Sequence, residues 1–234
     1  MEIDIAKAIE NKKSLDELVY KDKYGRVADS QEIKNILLLH NVHTTLKSDN
    51  EKPFFSFELY KEQDWSLEHI YAQNSQSLTD TAKQKEWLSD HIKSLCSLPN
   101  NNSNIELITR METMKEQDEI DNNDFDNIEK EVFELTEKCY EFENDENIHL
   151  LKNLCLLDKA TNSQLSNSVF DVKREKIKKR ELDGYYIPIC TKYLFLKAYT
   201  AFPATNAYWT KAGRNDYFND IENAYKFFKD KLRT

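Results

Sequence analysis

Trp65-Ser66-Leu67-Glu68-His69-Ile70 is the stretch on which the reading of the whole chain turns. It follows Pro53-Phe54-Phe55-Ser56-Phe57 and Asp64, and it predicts a short extended segment. In extended backbone consecutive side chains point to opposite faces, so Glu68 and His69 address different surroundings. A second candidate for extended structure lies much later, in the apolar run Leu150-Leu151-Lys152-Asn153-Leu154-Cys155-Leu156-Leu157. That run is short enough to be a buried strand, although periodicity alone leaves a helix open. A polar segment rich in Asn and Ser follows it, beginning near Asn162.

Everything else reads as helix. Ser14 with Glu17, and Asp29 with Glu32 ahead of Ile33, Ile36 and Leu37, have capping-box spacing, with Lys23-Tyr24-Gly25-Arg26 as the turn between. From Asp80 a helix resumes with Trp87, Leu88, Ile92 and Leu95 on one face, and it ends in the Pro99-Asn100-Asn101-Asn102 loop. Ile128, Val132, Leu135, Cys139 and Phe142 step by four and three residues and define another helical face. Further helices are predicted from Lys173 to Glu181, from Pro188 onward, and where Tyr217, Ile221, Ala224 and Phe228 share a stripe. The expected fold is α+β and predominantly helical, with a small two-strand-and-helix core interrupted by a helical insertion. Three regions follow: a helical one over 1–64, the core over 65–182 with an insertion at about 80–147, and a helical one over 183–234.

Charge is unevenly spread. The 234 residues carry a net charge of −9, which argues against a protein that coats nucleic acid through charge alone. Glu106 to Glu146 holds sixteen acidic and four basic residues, whereas Asp171 onward holds fourteen basic and eight acidic. An acidic insertion thus masks a mildly basic protein. Only three glycines occur, Gly25, Gly184 and Gly213, too few for a P-loop or a dinucleotide fingerprint. No apolar run approaches the roughly 20 residues that span a bilayer. The four cysteines form no C-x-x-C pair and no export-type leader stands at the N-terminus, which predicts reduced thiols and a cytoplasmic location.

Hydrolysing a phosphodiester needs an activated water and stabilised charge on the phosphate. A neutral imidazole suits the first task, and oxygen donors such as Glu and Asn suit Mg²⁺. Ser66-Leu67-Glu68-His69-Ile70-Tyr71-Ala72-Gln73, then Lys152-Asn153-Leu154-Cys155-Leu156-Leu157 and Asn162-Ser163-Gln164-Leu165-Ser166-Asn167, resemble the ββα-metal (HNH) nuclease core. More narrowly, they are similar to the C-terminal nuclease domains of GmrSD-type restriction proteins. The likeness extends through Asn35-Ile36-Leu37-Leu38-Leu39, Phe55-Ser56-Phe57, Phe170-Asp171-Val172-Lys173-Arg174 and Ile187-Pro188-Ile189-Cys190-Thr191, and so covers most of the chain.

The resemblance implies a DNA endonuclease of restriction or antiphage defence, with RNA as a possible substrate. His69 is the expected general base, and Asn153 orients it. Glu68, in a slot usually filled by Asp or His, and Asn162 hold one Mg²⁺ or Mn²⁺. Lys173, Arg174, Gln73 and Asn167 are the expected nucleic-acid contacts. A partner protein is expected to supply recognition or NTP-dependent licensing. The alternative is a catalytically silent HNH-like module that binds nucleic acid or a partner in a defence complex.

The other histidines have blander readings. His40 and His43, three apart, are expected as a surface pair near a helix end, since no second Cys or His pair has metal-ligand spacing. His91 reads as structural, as does His149, though His149 lies close enough to Asn153 to approach the site. The basic run Lys173 to Arg180 is either a solvated helix face or a guide for DNA.

Overall fold

A computed structural model describes residues 13–21, 24–47, 55–71, 78–98, 102–137, 148–165, 167–201, 203 and 205–231. Gln73, Pro53, Phe54, Cys139 and Phe142 lie outside the described residues, as do Lys23 and most of the Pro99–Asn102 loop. The described chain is mostly helical with one two-stranded sheet, an α+β arrangement. Its elements are α1 (Ser30–Lys47), α2 (Phe57–Glu62), β1 (Trp65–His69), α3 (Thr81–Cys96), α4 (Asn102–Lys115) and α5 (Asn122–Glu137). They continue with β2 (Leu154–Asp158), α6 (Lys159–Leu165), α7 (Phe170–Leu182), α8 (Ile189–Phe195) and α9 (Lys211–Lys231). None of the described helices is long and apolar enough to cross a membrane.

The apolar run after Leu150 is a 3₁₀ turn, Leu151–Asn153, leading into β2. β2 pairs antiparallel with β1, setting Glu68 opposite Cys155 and His69 opposite Leu154. Leu154 to Leu157 are all buried, which is why this strand shows a continuous apolar run rather than alternation. Helix side chains close its far edge. Tyr217 Oη donates to Leu154 O at 3.0 Å and Thr191 Oγ1 to Leu156 O at 2.7 Å, so these buried carbonyls are satisfied. The extended structure of this stretch is Trp65–His69; the described residues just upstream form the short α2, whose first turn is capped by Ser56 accepting from Leu59 N.

Two apolar clusters result. One gathers α1, both strands and α7 to α9 around Ile33, Leu37, Leu154, Leu156, Phe170 and Trp209. The other joins α3, α4 and α5 through Trp87, Leu88, Met111, Phe125, Ile128 and Val132, and reaches Val169 and Val172 at the start of α7. Caps set the helix starts: Asp80 accepts from Lys83 N ahead of α3, and Asp121 from Asn123 N and Asp124 N ahead of α5. Ser14 N does bond Glu17 Oε2, but only one 3₁₀ turn forms, because Leu18 turns extended and Val19 bridges Leu150.

His40 and His43 are not a surface pair. α1 runs on to Lys47, so both sit inside the helix and face α9, at 0% and 3% exposure. His40 Nε2 lies 2.7 Å from Asp220 Oδ2, and the His43 ring packs 4.8 Å from Phe227. Burial works against a charged His40, but Cys190 and Asp220 beside it outweigh burial and push its pKa up to about 9. A histidine with a raised folded-state value stabilises fully below its unfolded value near 6.5 and loses that contribution as pH climbs through about 9. The wild-type protein should therefore lose on the order of 2–3 kcal/mol over that window, and Asp220→Asn should show a shallower slope. Urea unfolding midpoints at pH 6 and 9.5 for both proteins check this; parallel slopes would refute the assignment.

Candidate active site

The end of β1 carries the candidate residues Glu68 and His69. Glu68 and His69 leave the strand on opposite faces, as extended backbone dictates. Glu68 Oε1 meets Lys173 Nζ at 2.5 Å, and the same ammonium donates to His69 O at 2.6 Å. Burial raises the Glu68 pKa, while the Lys173 charge and hydrogen bond oppose that rise. Lys173 is wholly buried, with 0% exposure. The expectation of a phosphate contact at Lys173 is thus overturned by geometry: its ammonium is enclosed and spent on the end of β1. Its helical spacing hints at this, since Phe170, Lys173 and Ile177 share the buried face of α7.

His69 is largely buried. Desolvation first, and then the positive charge of Lys173 and the neighbouring His149, lower its pKa to about 3. A value so low keeps the ring neutral at physiological pH, and it also makes the imidazole a weak proton acceptor in this enclosed arrangement. Its Nε2 lies 2.8 Å from His149 Nδ1, with the two rings 67° apart and Tyr20 packed against both. Asn153 does not touch the imidazole. Its Oδ1 accepts from Tyr71 N at 3.0 Å, and its Nδ2 donates to Tyr71 O and Ile148 O, both at 2.9 Å. It orients the backbone two residues past His69, and the Ile70 N to Asn153 O bond adds to that hold.

Asn162 lies within α6, which Asp158 caps by accepting from Thr161 N. Its Nδ2 donates to Ser66 Oγ at 2.8 Å and to Leu67 O at 3.2 Å, tying the helix to β1. Arg174, next to Lys173, projects elsewhere. Its Nη1 sits 3.5 Å from Glu175 and 3.7 Å from Asp171. It lines a cavity of about 1160 Å³ between α3 and α7, together with Lys176, Lys179 and Arg180. Glu68, His69, Asn153 and Asn162 do not line that cavity. Asn167 is engaged through its carbonyl, which accepts from Trp87 Nε1 at 2.7 Å.

Whether these residues suit a divalent ion follows from their donors. Mg²⁺ seeks near-octahedral oxygen coordination, and Glu68 and Asn162 are the expected oxygen donors. Glu68 already faces an ammonium, and Asn162 directs its amide hydrogens at Ser66 and Leu67. Among the described residues no three His, Cys, Asp or Glu side chains converge as a metal group would. As arranged, the two do not fit a shared ion.

Against protein-family models, curated proteins and solved structures, the chain has no match. Site residues therefore rest on geometry and on the motif likeness. His149 is the participant that motif spacing passes over; its only signal is its place four residues before Asn153.

Proposed function

We propose that the chain is a phosphodiester hydrolase acting on nucleic acid, DNA foremost, as the HNH resemblance implies. One observation carries the reading. His69 and, much later in the chain, the closely spaced Asn153 and Asn162 come together on one strand–strand–helix unit, with an imidazole at the strand end. In this mechanism His69 takes a proton from water, the water oxygen bonds to phosphorus, and the P–O3′ bond breaks with its electron pair on O3′, which takes up a proton from solvent water. Asn153 holds the turn that follows the base, and Lys173 holds the base's own carbonyl. A defence role and a partner that licenses cleavage belong to the same proposal.

Supercoiled plasmid and labelled RNA, each incubated with Mg²⁺, with Mn²⁺ and with chelator, test it. Cleavage by the wild type should fall by about a hundredfold or more in His69→Ala. Undiminished cleavage by that variant would refute the assigned base. The second reading, a silent binding module, is favoured by one feature, the engagement of Glu68 by Lys173. Plasmid binding without cleavage under every condition would support it.

A further inference from the structure

We infer that His149 sets the tautomer of His69, and so decides that Nδ1 of His69 is the atom that receives the proton from water. Two imidazole nitrogens 2.8 Å apart share one hydrogen: two lone pairs would repel and two N–H groups would clash. If His149 supplied that hydrogen, His69 would carry its own on Nδ1 and have no lone pair left for water. With the hydrogen on His69 Nε2, His149 Nδ1 accepts it and His69 Nδ1 is left as the base. His149 is then a positioning residue, in the part usually taken by the third member of a nucleophile–base–orienter chain.

The surroundings are built to hold this distance. Tyr20 N donates to His149 O at 2.8 Å, Leu151 N donates to Leu18 O at 3.2 Å, and Val19 bridges Leu150. Residues 18 to 20 thus hold the backbone from His149 to Leu151. Asn153 does the same from the other direction. It bonds Ile148, the residue before His149, and Tyr71, two residues after His69, so one side chain staples both histidine-bearing segments. The Tyr20 ring, 5.7 Å from one imidazole and 6.3 Å from the other, closes the pair. That the two nitrogens share one hydrogen rests on their 2.8 Å separation; its placement on His69 Nε2, like the role in proton transfer, rests on the hydrolase reading above.

Long-range ¹H–¹⁵N NMR of the imidazoles in the full chain separates the two. In the wild type His69 should be the Nε2–H tautomer. His149→Leu should lose that preference, and His149→Asn should keep it, because the Asn carbonyl can accept near the position of Nδ1. In plasmid cleavage, kcat should fall about tenfold or more in His149→Leu with KM little changed, and recover to within a few-fold in His149→Asn. A Nδ1–H tautomer in the wild type, or an unchanged Nε2–H tautomer in His149→Leu, overturns the inference. Wild-type cleavage speed in His149→Leu would overturn the positioning role as well. If the leucine variant fails to fold, the wild-type and asparagine spectra still decide the tautomer. A wild type that shows the expected tautomers and cleaves nothing sinks the hydrolase reading and leaves the tautomer assignment standing.

Discussion

Lys173→Met is expected to destabilise the protein by about 3–5 kcal/mol, enough to remove much of the stability of a typical domain. The methionine has similar length and fills the same space, so packing is nearly conserved and the charge is what is lost. That loss strands Glu68, whose carboxylate is buried and takes its hydrogen bond from Lys173. It also removes the donor to His69 O. An uncompensated buried charge costs far more than a buried pair contributes, which makes the single variant worse than a double one. Lys173→Met with Glu68→Leu should recover most of the deficit in urea unfolding. The sign with pH is fixed too. Without Lys173 the Glu68 value rises further, so the folded state penalises the ionised form, and the deficit should shrink as pH falls through that raised value toward the ordinary glutamate range. A single variant as stable as the wild type would show that the ion pair does not hold this end of β1.

Asn153→Asp, isosteric with the wild type, is expected to cost about 3 kcal/mol or more, at least as much as Asn153→Ala. The side chain is buried and spends two N–H donors on Tyr71 O and Ile148 O and one acceptor on Tyr71 N. Aspartate keeps the acceptor and turns a carboxylate oxygen toward two carbonyl oxygens, while alanine leaves three buried backbone groups with lost partners. Amide hydrogen exchange gives the local reading. Tyr71 N should lose protection in Asn153→Ala before the β1–β2 ladder does, because the staple is a side chain and the ladder is backbone. Retained protection at Tyr71 in the alanine variant would mean that the turn is held by its own backbone geometry.

Helices were legible where apolar periodicity and caps agreed. Trp87, Leu88 and Leu95 are buried on one face of α3 behind the Asp80 cap, and Tyr217, Ile221 and Ala224 lie on the buried face of α9. The periodicity of α1 said less, since Ile33, Ile36, Leu37, Leu38, Leu39, His40 and Asn41 are all buried and a helix enclosed on every side has no polar stripe. That is why His40 and His43 looked like a surface pair in sequence and are in fact core groups against α9. The short motif at Glu68-His69 was visible as a candidate, as were Asn153 and Asn162, but their bonds were not.

From the sequence alone came a mostly helical chain, an extended segment around Trp65 to Ile70, an apolar run from Leu150 to Leu157 and an acidic insertion between them. These are local properties, set by side-chain spacing and composition. Pairing and charge partnership were decided by the tertiary structure. Nothing local shows that the ammonium of Lys173 would cross from α7 to meet Glu68 on β1, or that Asn153 would spend its bonds on Tyr71 and Ile148. Nor does spacing show that His149, clamped by residues 18 to 20, would bring its Nδ1 to His69. Apart from the Asn153 bond to Ile148, these contacts join residues far apart in the chain, and in a buried, weakly screened interior the partner a polar group meets helps decide its protonation and its role.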